Sequence, residues 1–416
     1  MKIGYIMEAG EADVRKRPLS GPANHVRQVI LALQSLGHTV RLLARWDDAD
    51  SVRRIWLSDD LDHFAPVTVP LVDLGPVRWV ERVGRRIQRE LQLPYFNWFE
   101  SLRFGLACRQ TLRGFDLLYE RIGWVSYGGG YASRWLGIPL VLEENGNHLA
   151  TMEAIGNAPT GFQRRLEVWL MRKAMRRAAH VVAAGQKWRE HFIERWGVDP
   201  GIVTTVESGT ELVKLLDRSD LRSFRDRSDD DGHITTLAYV GGFYPWHGVP
   251  VLLRAVAGAL AGGDPVRVIL IGAGQGEAEA RRLTETLGLA GAVTFAGHLA
   301  AAQFAPILAD ADIGVSPYCG WKEFSGLKIL DYKAAGLAVI ASGQDGQPPT
   351  VRHGETGLIV PPCDEDALRD AIVQLCRDSQ RRRQMGRAAR QDAEDHHGWD
   401  HTARQLERIF NQLVAQ

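Results

Sequence analysis

The stretch 323–336, EFSGLKILDYKAAG, brings acidic, basic and small residues together at a spacing that suits a phosphate ligand. We expect Ser325 and Gly326 to begin a helix. Free backbone N–H groups and the positive dipole end at a helix N-terminus favour an anion. Lys328, in the first turn, adds a full positive charge. The segment therefore predicts a phosphate site at the start of this helix.

Two acidic residues, Glu323 and Asp331, lie on either side of this turn. They are eight residues apart, which is about 12 Å along a helix. That is close to the distance between the ribose and the hexose of a nucleotide sugar. One carboxylate could hold ribose hydroxyls and the other sugar hydroxyls, with the diphosphate on the turn. Taken alone, the same two acids would equally fit an ordinary helix surface.

The composition excludes some classes of partner. The chain has 416 residues, and its 50 Lys and Arg balance its 50 Asp and Glu. A neutral chain has no global attraction to nucleic acid, so we expect no nucleic-acid partner. The length exceeds what one ordinary hydrophobic core accommodates, which predicts two domains.

The cysteines and apolar runs predict a cytoplasmic protein. No two of the four cysteines form a CxxC pair, and their wide spacing suits a reducing compartment better than a disulfide framework. The first apolar run spans six residues and no stretch approaches the roughly 18 apolar residues of a membrane span. The cysteines are Cys108, Cys319, Cys363 and Cys376.

Short apolar runs alternate with longer helical patterns, which is typical of an α/β protein with parallel sheets covered by helices. The expected strands are 2–7, 39–45, 116–122, 139–145, 180–185 and 202–208 in the first half, and 234–242, 266–274, 292–297, 312–318 and 337–342 in the second.

The pattern predicts two Rossmann-like domains that face each other across a cleft. Residues 1–210 would form an acceptor-side domain and 233–398 a domain that binds the donor nucleotide. The highly charged stretch 211–232 is the expected linker, and 399–416 is expected to be a helix that crosses back to the first domain. In such sheets, ligands bind outside the carboxyl ends of the strands.

Several segments resemble one enzyme family in order and spacing. EFSGLKILD (323–331) resembles the frame EGFGLxxLEAxAxGxPVI of the retaining nucleotide-sugar glycosyltransferases of family 4, which have the two-domain GT-B fold; Asp331 replaces the second Glu. SGPANHVRQVILALQSLGHTV (20–40) is similar to GGxxxHVxxLAxxLxxxGHxV. GGFYPWHG (241–248) is similar to GRLxxxKG, and LIGAGQGE, VTFAGHL and ADIGVSP follow in the family's order.

This resemblance implies transfer of a sugar from a nucleotide diphosphate sugar to an acceptor, with retention at the anomeric carbon. Glu323 would orient the sugar rather than attack it. The acceptor would be a glycan, a lipid-linked molecule or a small molecule. The implied donor-binding residues are Gly21, Gly242, Trp246, His298, Ser325, Gly326, Leu327 and Asp331.

The chain departs from the family where the diphosphate is expected. The Arg and Lys of GRLxxxKG are here Gly242 and His247, so two positive charges are missing, or one if His247 is protonated. Lys328 could supply the missing charge, as in a subgroup that pairs Trp-His-Gly with a later lysine. Lys328, His247 and the helix start would then stabilise the leaving diphosphate without a metal ion or a further cofactor. An inactive domain is the alternative.

Acceptor or sugar contacts are expected in the first domain. His25 lies in the first turn of a helix, within the matching segment, although a single helical histidine is more often structural. Glu144 ends a buried strand, and Asn145 stands where the family often has a histidine. His148 follows three residues later.

Other patterns carry less weight. Asp48-Ala-Asp50 and Asp310-Ala-Asp312 spell the DxD of metal-dependent transferases, yet helix capping explains the second pair. The basic helices 78–89 and 161–177 would suit a peripheral contact with the inner membrane face, although a solvated helix face explains them too. A nucleotide-sugar epimerase and a nucleotide-sugar-binding scaffold remain alternative functions.

Overall fold

The structure is a computed structural model, and it describes most of the chain. The described residues are 1–10, 12–17, 19–47, 53–70, 75–90, 98–144, 149, 152–153, 156, 158–224, 233–319, 326–343 and 348–415.

The chain divides into two compact units. Met1–Glu207 and Thr402–Gln416 form the first unit, and Ser208–His401 form the second. Each contains a mainly parallel sheet covered by helices, which confirms the predicted Rossmann-like α/β fold.

In the described residues, the sheet of the first unit has the strand order β4-β3-β2-β1-β5-β6-β7-β8. The pairs between β2, β1, β5, β6, β7 and β8 are parallel, whereas β3 and β4 add an antiparallel edge. The strands are β1 Lys2–Met7, β2 Thr39–Asp47, β3 Arg53–Ser58, β4 Ala65–Val67, β5 Leu117–Arg121, β6 Leu140–Glu144, β7 His180–Ala183 and β8 Val203–Thr205.

Helices follow the strands of the first unit and bury their apolar faces on the sheet. In the first helix, Ser20 caps the N-terminus, and Ala23, Val26, Val29, Ile30 and Leu33 recur at helical spacing and are buried. The helices are Gly21–Ser35, Gly75–Glu90, Trp98–Thr111, Gly128–Leu136, Gly161–Met175 and Gln186–His191, followed by a π-helical turn, Phe192–Trp196, and a 3-10 turn, Pro200–Ile202. Most of the helix Trp399–Val414 also belongs to this unit.

The second unit has an all-parallel sheet in the order β11-β10-β9-β12-β13-β14 within the part of the chain that is described. Its strands are β9 Thr235–Val240, β10 Val266–Ile271, β11 Val293–Gly297, β12 Ile313–Ser316, β13 Ala338–Ser342 and β14 Gly357–Val360. Alternate residues of one strand enter cores on opposite faces: Leu237 and Tyr239 enter one, and Ala238 the other. Burial on both faces explains why these strands are continuous apolar runs.

The helices of the second unit cover both faces of this sheet. They are Leu212–Leu215, Val249–Ala261, Glu277–Thr286, Ala301–Asp310, Leu327–Ala334, Glu365–Arg377 and Ser379–His396, with 3-10 turns at Arg218–Asp220, Arg222–Phe224 and Pro245–His247. Among the described residues, no helix is both long enough and apolar enough to cross a membrane.

The charged stretch 211–232 is not a free linker over its first part. Leu212, Leu216 and Leu221 are buried in the core of the second unit, beside Phe304. The linker prediction was wrong up to residue 224, because these leucines stand between charged residues and their burial is hidden by the average composition. Residues 225–232 lie outside the described residues.

The cysteines correct a second expectation. Cys319 and Cys363 form a disulfide, with their Cα atoms 4.8 Å apart. Each lies three residues beyond the end of a strand, Cys319 after β12 and Cys363 after β14. Because parallel strands end at the same edge of a sheet, residues 44 positions apart in sequence meet there. Cys108 and Cys376 are free.

Candidate active site

Two glycine-rich turns meet at the carboxyl ends of β9 and β10. The Gly241 N–H donates to the carbonyl oxygen of Ile271 (2.9 Å), and the Phe243 N–H donates to that of Ala273 (3.1 Å). Gly272 has a φ of +143°, and a Cβ on it would lie 1.9 Å from the Gly241 carbonyl oxygen. Hydrogen bonds therefore join the two turns, 241–243 and 271–273, into one surface, which we call the glycine shelf. Only glycine fits at position 272.

The turn after β9 is also fixed to the end of β12. The Cys319 N–H donates to the carbonyl oxygen of Trp246 (2.8 Å). Gly248 has a φ of +68°, and a Cβ there would lie 1.5 Å from the Pro317 carbonyl oxygen. The turn after β9 is therefore joined directly to the segment that follows β12, Pro317–Cys319.

Lys328 lies in the first turn of the helix Leu327–Ala334, and its side chain points to the glycine shelf. It is 7% exposed, and its Nζ lies 4.6 Å from the ring centre of Tyr239 and 4.7 Å from that of Tyr318. Nζ has no hydrogen-bond partner among the described residues. A Cβ on Gly241 would lie 3.0 Å from Nζ, so a glycine leaves room for the ammonium group. Burial lowers the pKa of Lys328 to about 7.

His247 lies beside Lys328 and is neutral at physiological pH. Its Nδ1 lies 2.5 Å from the carbonyl oxygen of Gly242, which also accepts from the Tyr239 hydroxyl at 2.7 Å. This contact assigns the proton to Nδ1 and leaves Nε2 as an acceptor. Burial and then the charge of Lys328 lower the pKa of His247 to about 4. Burial and the charge of Lys328 thus both disfavour the protonated form of His247.

Asp331 is held by a residue that the sequence did not single out. The Thr210 hydroxyl donates to Asp331 Oδ1 at 2.6 Å. Burial raises the pKa of Asp331 to about 7; the Thr210 hydrogen bond opposes this rise, and the negative charge of Glu211 adds to it. The environment of Asp331 thus distinguishes it from an ordinary surface acid.

The other predicted donor-side residues lie at the same edge of the second sheet or outside the described residues. The Trp246 ring stacks on that of Tyr244, with ring centres 5.1 Å apart. His298 is exposed after β11, and Gly326 precedes the Leu327 helix, accepting from the Leu330 N–H at 3.0 Å. Glu323 and Ser325 lie outside the described residues.

In the first unit, His25 pairs with Glu143 rather than with Glu144. Its Nε2 lies 2.6 Å from Glu143 Oε1, and the Tyr5 hydroxyl donates to Glu143 Oε2 at 3.2 Å. All three side chains are buried. Burial, and then the Glu143 carboxylate, raise the pKa of Tyr5 well above its usual range. Gly21 is the first residue of the same helix as His25.

Glu143, rather than the predicted Glu144, is the acid of β6 that contacts His25. Successive side chains of a strand point to opposite faces of the sheet. Glu143 therefore faces His25 and Tyr5, while the buried Glu144 faces the other side. The period-two alternation of β6 was a signal that could have separated the two acids. Asn145 and His148 lie outside the described residues.

Asp312, the second acid of one DxD sequence, has a structural role at the opposite edge of the second sheet. It precedes β12 and pairs with Arg222 (2.9 Å) and His233 (3.1 Å). Its Oδ2 also accepts from the Thr236 N–H at 2.8 Å. These ion pairs, rather than helix capping, explain why an acid stands there. Asp48 and Asp50 lie outside the described residues.

Both halves of the chain match known glycosyltransferase families. Residues 19–214 match the family described as Glycosyltransferase Family 4, and residues 234–378 match the domain described as Glycosyl transferases group 1. A D-inositol 3-phosphate glycosyltransferase of Corynebacterium glutamicum is 30% identical over 242 residues, which cover 55% of this chain and 56% of that protein. The chain thus spans less than two thirds of the length of this relative.

Solved structures show the same fold over nearly the whole chain. A sucrose-phosphate synthase of Thermosynechococcus elongatus aligns with a TM-score of 0.71 at 22% identity, covering 100% of this chain and 99% of that one. The Anabaena protein HepE, solved in complex with UDP and glucose, aligns with a TM-score of 0.67 at 18% identity, covering 99% and 100%. Together with the two family matches, these likenesses lead to one conclusion: the chain belongs to glycosyltransferase family 4, with the GT-B fold.

Proposed function

We propose that this protein transfers a hexosyl group from a nucleoside diphosphate sugar to an acceptor hydroxyl, with retention of the anomeric configuration. The observation that carries this proposal is the buried Nζ of Lys328, which has no hydrogen-bond partner in the described part of the chain. An unpaired buried ammonium costs folding free energy. An anionic ligand at the glycine shelf would restore its pairing, and a diphosphate has that chemistry.

In the proposed reaction, the bond between the anomeric carbon and the diphosphate oxygen breaks, and the electron pair stays on that oxygen. The acceptor oxygen then bonds to the anomeric carbon on the same face of the sugar. The acceptor proton passes to a diphosphate oxygen. Negative charge develops on the diphosphate as the bond breaks, so a fixed positive charge beside it lowers the barrier.

Each residue of the site has a role in this proposal. The Lys328 ammonium and the helix start at Gly326 stabilise the diphosphate without a metal ion. The Nε2 of the neutral His247 accepts a hydrogen bond from a hydroxyl group of the nucleotide sugar. Asp331 binds the ribose, and Glu323 orients the hexose. The HepE complex with UDP and glucose supports this choice of ligand.

We further propose that the acceptor is a polyhydroxyl compound (a glycan, a lipid-linked molecule or a small molecule) and that the protein works in the cytoplasm, in peripheral contact with the inner membrane face. The C. glutamicum relative is named a D-inositol 3-phosphate glycosyltransferase, and this name supports a polyhydroxyl acceptor. The exposed apolar residues of the helix Gly75–Glu90 support the membrane contact.

Release of nucleoside diphosphate tests the proposed transfer. A panel of nucleotide sugars is first screened for the one that raises the melting temperature. With that donor, nucleoside diphosphate should appear only when acceptor is present, and NMR of the product should show the anomeric configuration of the donor. Release without acceptor, or isomerised sugar, would instead support the epimerase alternative.

Chelation tests the absence of a metal requirement. Because Lys328 and a helix dipole are proposed to carry the phosphate charge, the rate should be unchanged in saturating EDTA. A rate that falls with EDTA and returns with Mg²⁺ or Mn²⁺ would show that the diphosphate charge is carried by a metal instead.

A further inference from the structure

The helix Gly75–Glu90 turns its apolar residues towards solvent. Trp79, Val83 and Ile87 follow one another at four-residue spacing and so lie on one face. Trp79 is 62% exposed and Ile87 53%, and Val80 beside them is half exposed. An amphipathic helix of a globular protein normally buries such a face in the core. We call the four residues the apolar stripe.

Contacts on the opposite side fix the helix in this orientation. Glu81 is buried and accepts from Arg85 (2.9 Å) and from Arg103 (2.9 Å) of the next helix, Trp98–Thr111. A Cβ on Gly84 would lie 2.9 Å from the Phe99 ring, so the two helices approach closely there. Rolling the apolar stripe inwards would break the ion pairs of the buried Glu81. The exposure of the stripe is therefore built into the packing.

Positive charge lies along one edge of the apolar stripe. The helix contains five Arg and two Glu, although the whole chain is neutral. Arg82 and Arg86 are exposed, and neither forms an ion pair with another described residue. Each precedes a stripe residue by one position, which places the two guanidinium groups side by side along the stripe.

We infer that the helix Gly75–Glu90 docks on an anionic lipid surface. The apolar stripe would lie among the acyl chain segments next to the headgroups, and Arg82 and Arg86 would lie at the headgroup phosphates. A surface helix with one apolar and one basic face has this chemistry. A second copy of the chain fits less well. A symmetric contact through the stripe would bring the unpaired arginines of both copies towards each other.

Vesicle binding measures this contact directly. The intact protein should sediment with vesicles that contain phosphatidylglycerol much more than with pure phosphatidylcholine, and 0.5 M NaCl should weaken the binding. The variant Trp79→Ser/Val83→Ser/Ile87→Ser should lose at least about 10-fold in partition coefficient on anionic vesicles. Arg82→Gln/Arg86→Gln should lose about 5-fold per arginine on anionic vesicles and nothing on neutral ones.

A matched control comes from a second helix of the same unit. Phe162 and Trp169 of Gly161–Met175 are also strongly exposed, at 74% and 55%. Phe162→Ser/Trp169→Ser should retain vesicle binding within twofold. An equal loss in this control and in the apolar-stripe variant would overturn the assignment to Gly75–Glu90. So would unchanged binding in the apolar-stripe variant, or a dimer in solution that the same variant dissociates.

Trp79→Phe keeps the proposal testable if the triple variant fails to fold. This substitution leaves the helix apolar, so vesicle binding should persist. Quenching of tryptophan fluorescence by brominated lipid should fall by most of its amplitude, because Trp79 would be the residue that enters the bilayer. Quenching that is unchanged by Trp79→Phe would overturn the proposal, whatever the transferase activity proves to be.

Discussion

Two buried polar groups, one in each unit, differ in how their hydrogen bonds are satisfied. In the second unit, Lys328 Nζ lies between two aromatic rings with no hydrogen-bond partner among the described residues. In the first unit, His25 and Tyr5 both hydrogen-bond to the Glu143 carboxylate. The first arrangement leaves a charge to be met by a ligand, whereas the second satisfies its own groups. Burial of a titratable residue therefore does not by itself indicate a binding role. In this comparison, the missing hydrogen-bond partner of Lys328 indicates it.

The largest expected effect comes from removing the unpaired charge. Lys328→Met should weaken nucleoside diphosphate binding by about 1.5–3 kcal/mol, which is about 10- to 150-fold. Binding of the nucleoside alone should barely change, because it has no phosphate. Lys214→Met, at an exposed lysine of the same unit, is the matched control for calorimetry. An equal loss for nucleoside and diphosphate would show that Lys328 acts on folding rather than on phosphate.

Replacing His25 tests whether the buried group His25, Glu143 and Tyr5 of the first unit is structural. His25→Ala leaves a buried carboxylate without its nearest partner and should lower the free energy of unfolding by about 1–3 kcal/mol. The affinity for nucleoside diphosphate should stay within twofold. Denaturant unfolding and calorimetry measure the two quantities. Unchanged stability with a raised acceptor KM would instead make His25 an acceptor contact and remove the contrast between the units.

Proton uptake sharpens the comparison further. With a pKa of about 7 in the free protein, Lys328 is half charged at neutral pH. A bound diphosphate favours the charged form and raises that pKa. Affinity should therefore fall as pH rises above 7, by up to about tenfold per pH unit. Calorimetry in buffers of different ionisation enthalpy should show proton uptake on binding, and Lys328→Met should abolish both effects.

The smallest effects concern His247. As a neutral acceptor it is expected to contribute one ordinary hydrogen bond, so His247→Gln should weaken donor binding by about 3- to 10-fold. Its folded pKa, about 4, lies below the ordinary value of 6.5. The unfolded chain thus takes up the proton first, and stability is lost as pH falls from 6.5 to 4.

His247→Asn should make that acid-side fall shallower in denaturant unfolding measured from pH 7 to 4. A step in wild-type donor affinity near pH 6.5 that disappears in the same variant would show that His247 titrates normally and carries charge in the site.

Much of the fold was predictable from the sequence, because strands buried on both faces are continuous apolar runs. The expected strand 2–7 is β1 without change, the expected strand 39–45 extends to Asp47 as β2, and the other expected strands are present but shorter at one or both ends. The strands β3, β4 and β14 were missed. They are short or carry charged residues, as in RRIWLS at Arg53–Ser58, and their pairing depends on neighbours that the local pattern does not contain.

Residues proposed for the site could be named from the sequence, but their hydrogen-bond and ion-pair partners could not. A family pattern and a helix start identified Lys328. Only packing shows that its ammonium lacks a partner and that His247 beside it is neutral. Thr210 and Glu143 were missed because their contacts join residues 121 and 118 positions apart. The disulfide was missed for the same reason: the edge of the sheet, not the spacing of the cysteines, brings Cys319 to Cys363.

The glycine shelf has a consequence for engineering this protein. At Gly272 any side chain would overlap the Gly241 carbonyl, and at Gly248 any side chain would overlap Pro317. These positions will appear intolerant in every mutational library, whichever donor is selected. Variation aimed at a new donor should therefore be confined to the side chains around the shelf, such as Tyr244, Trp246 and His298, while the glycines are kept as an invariant scaffold.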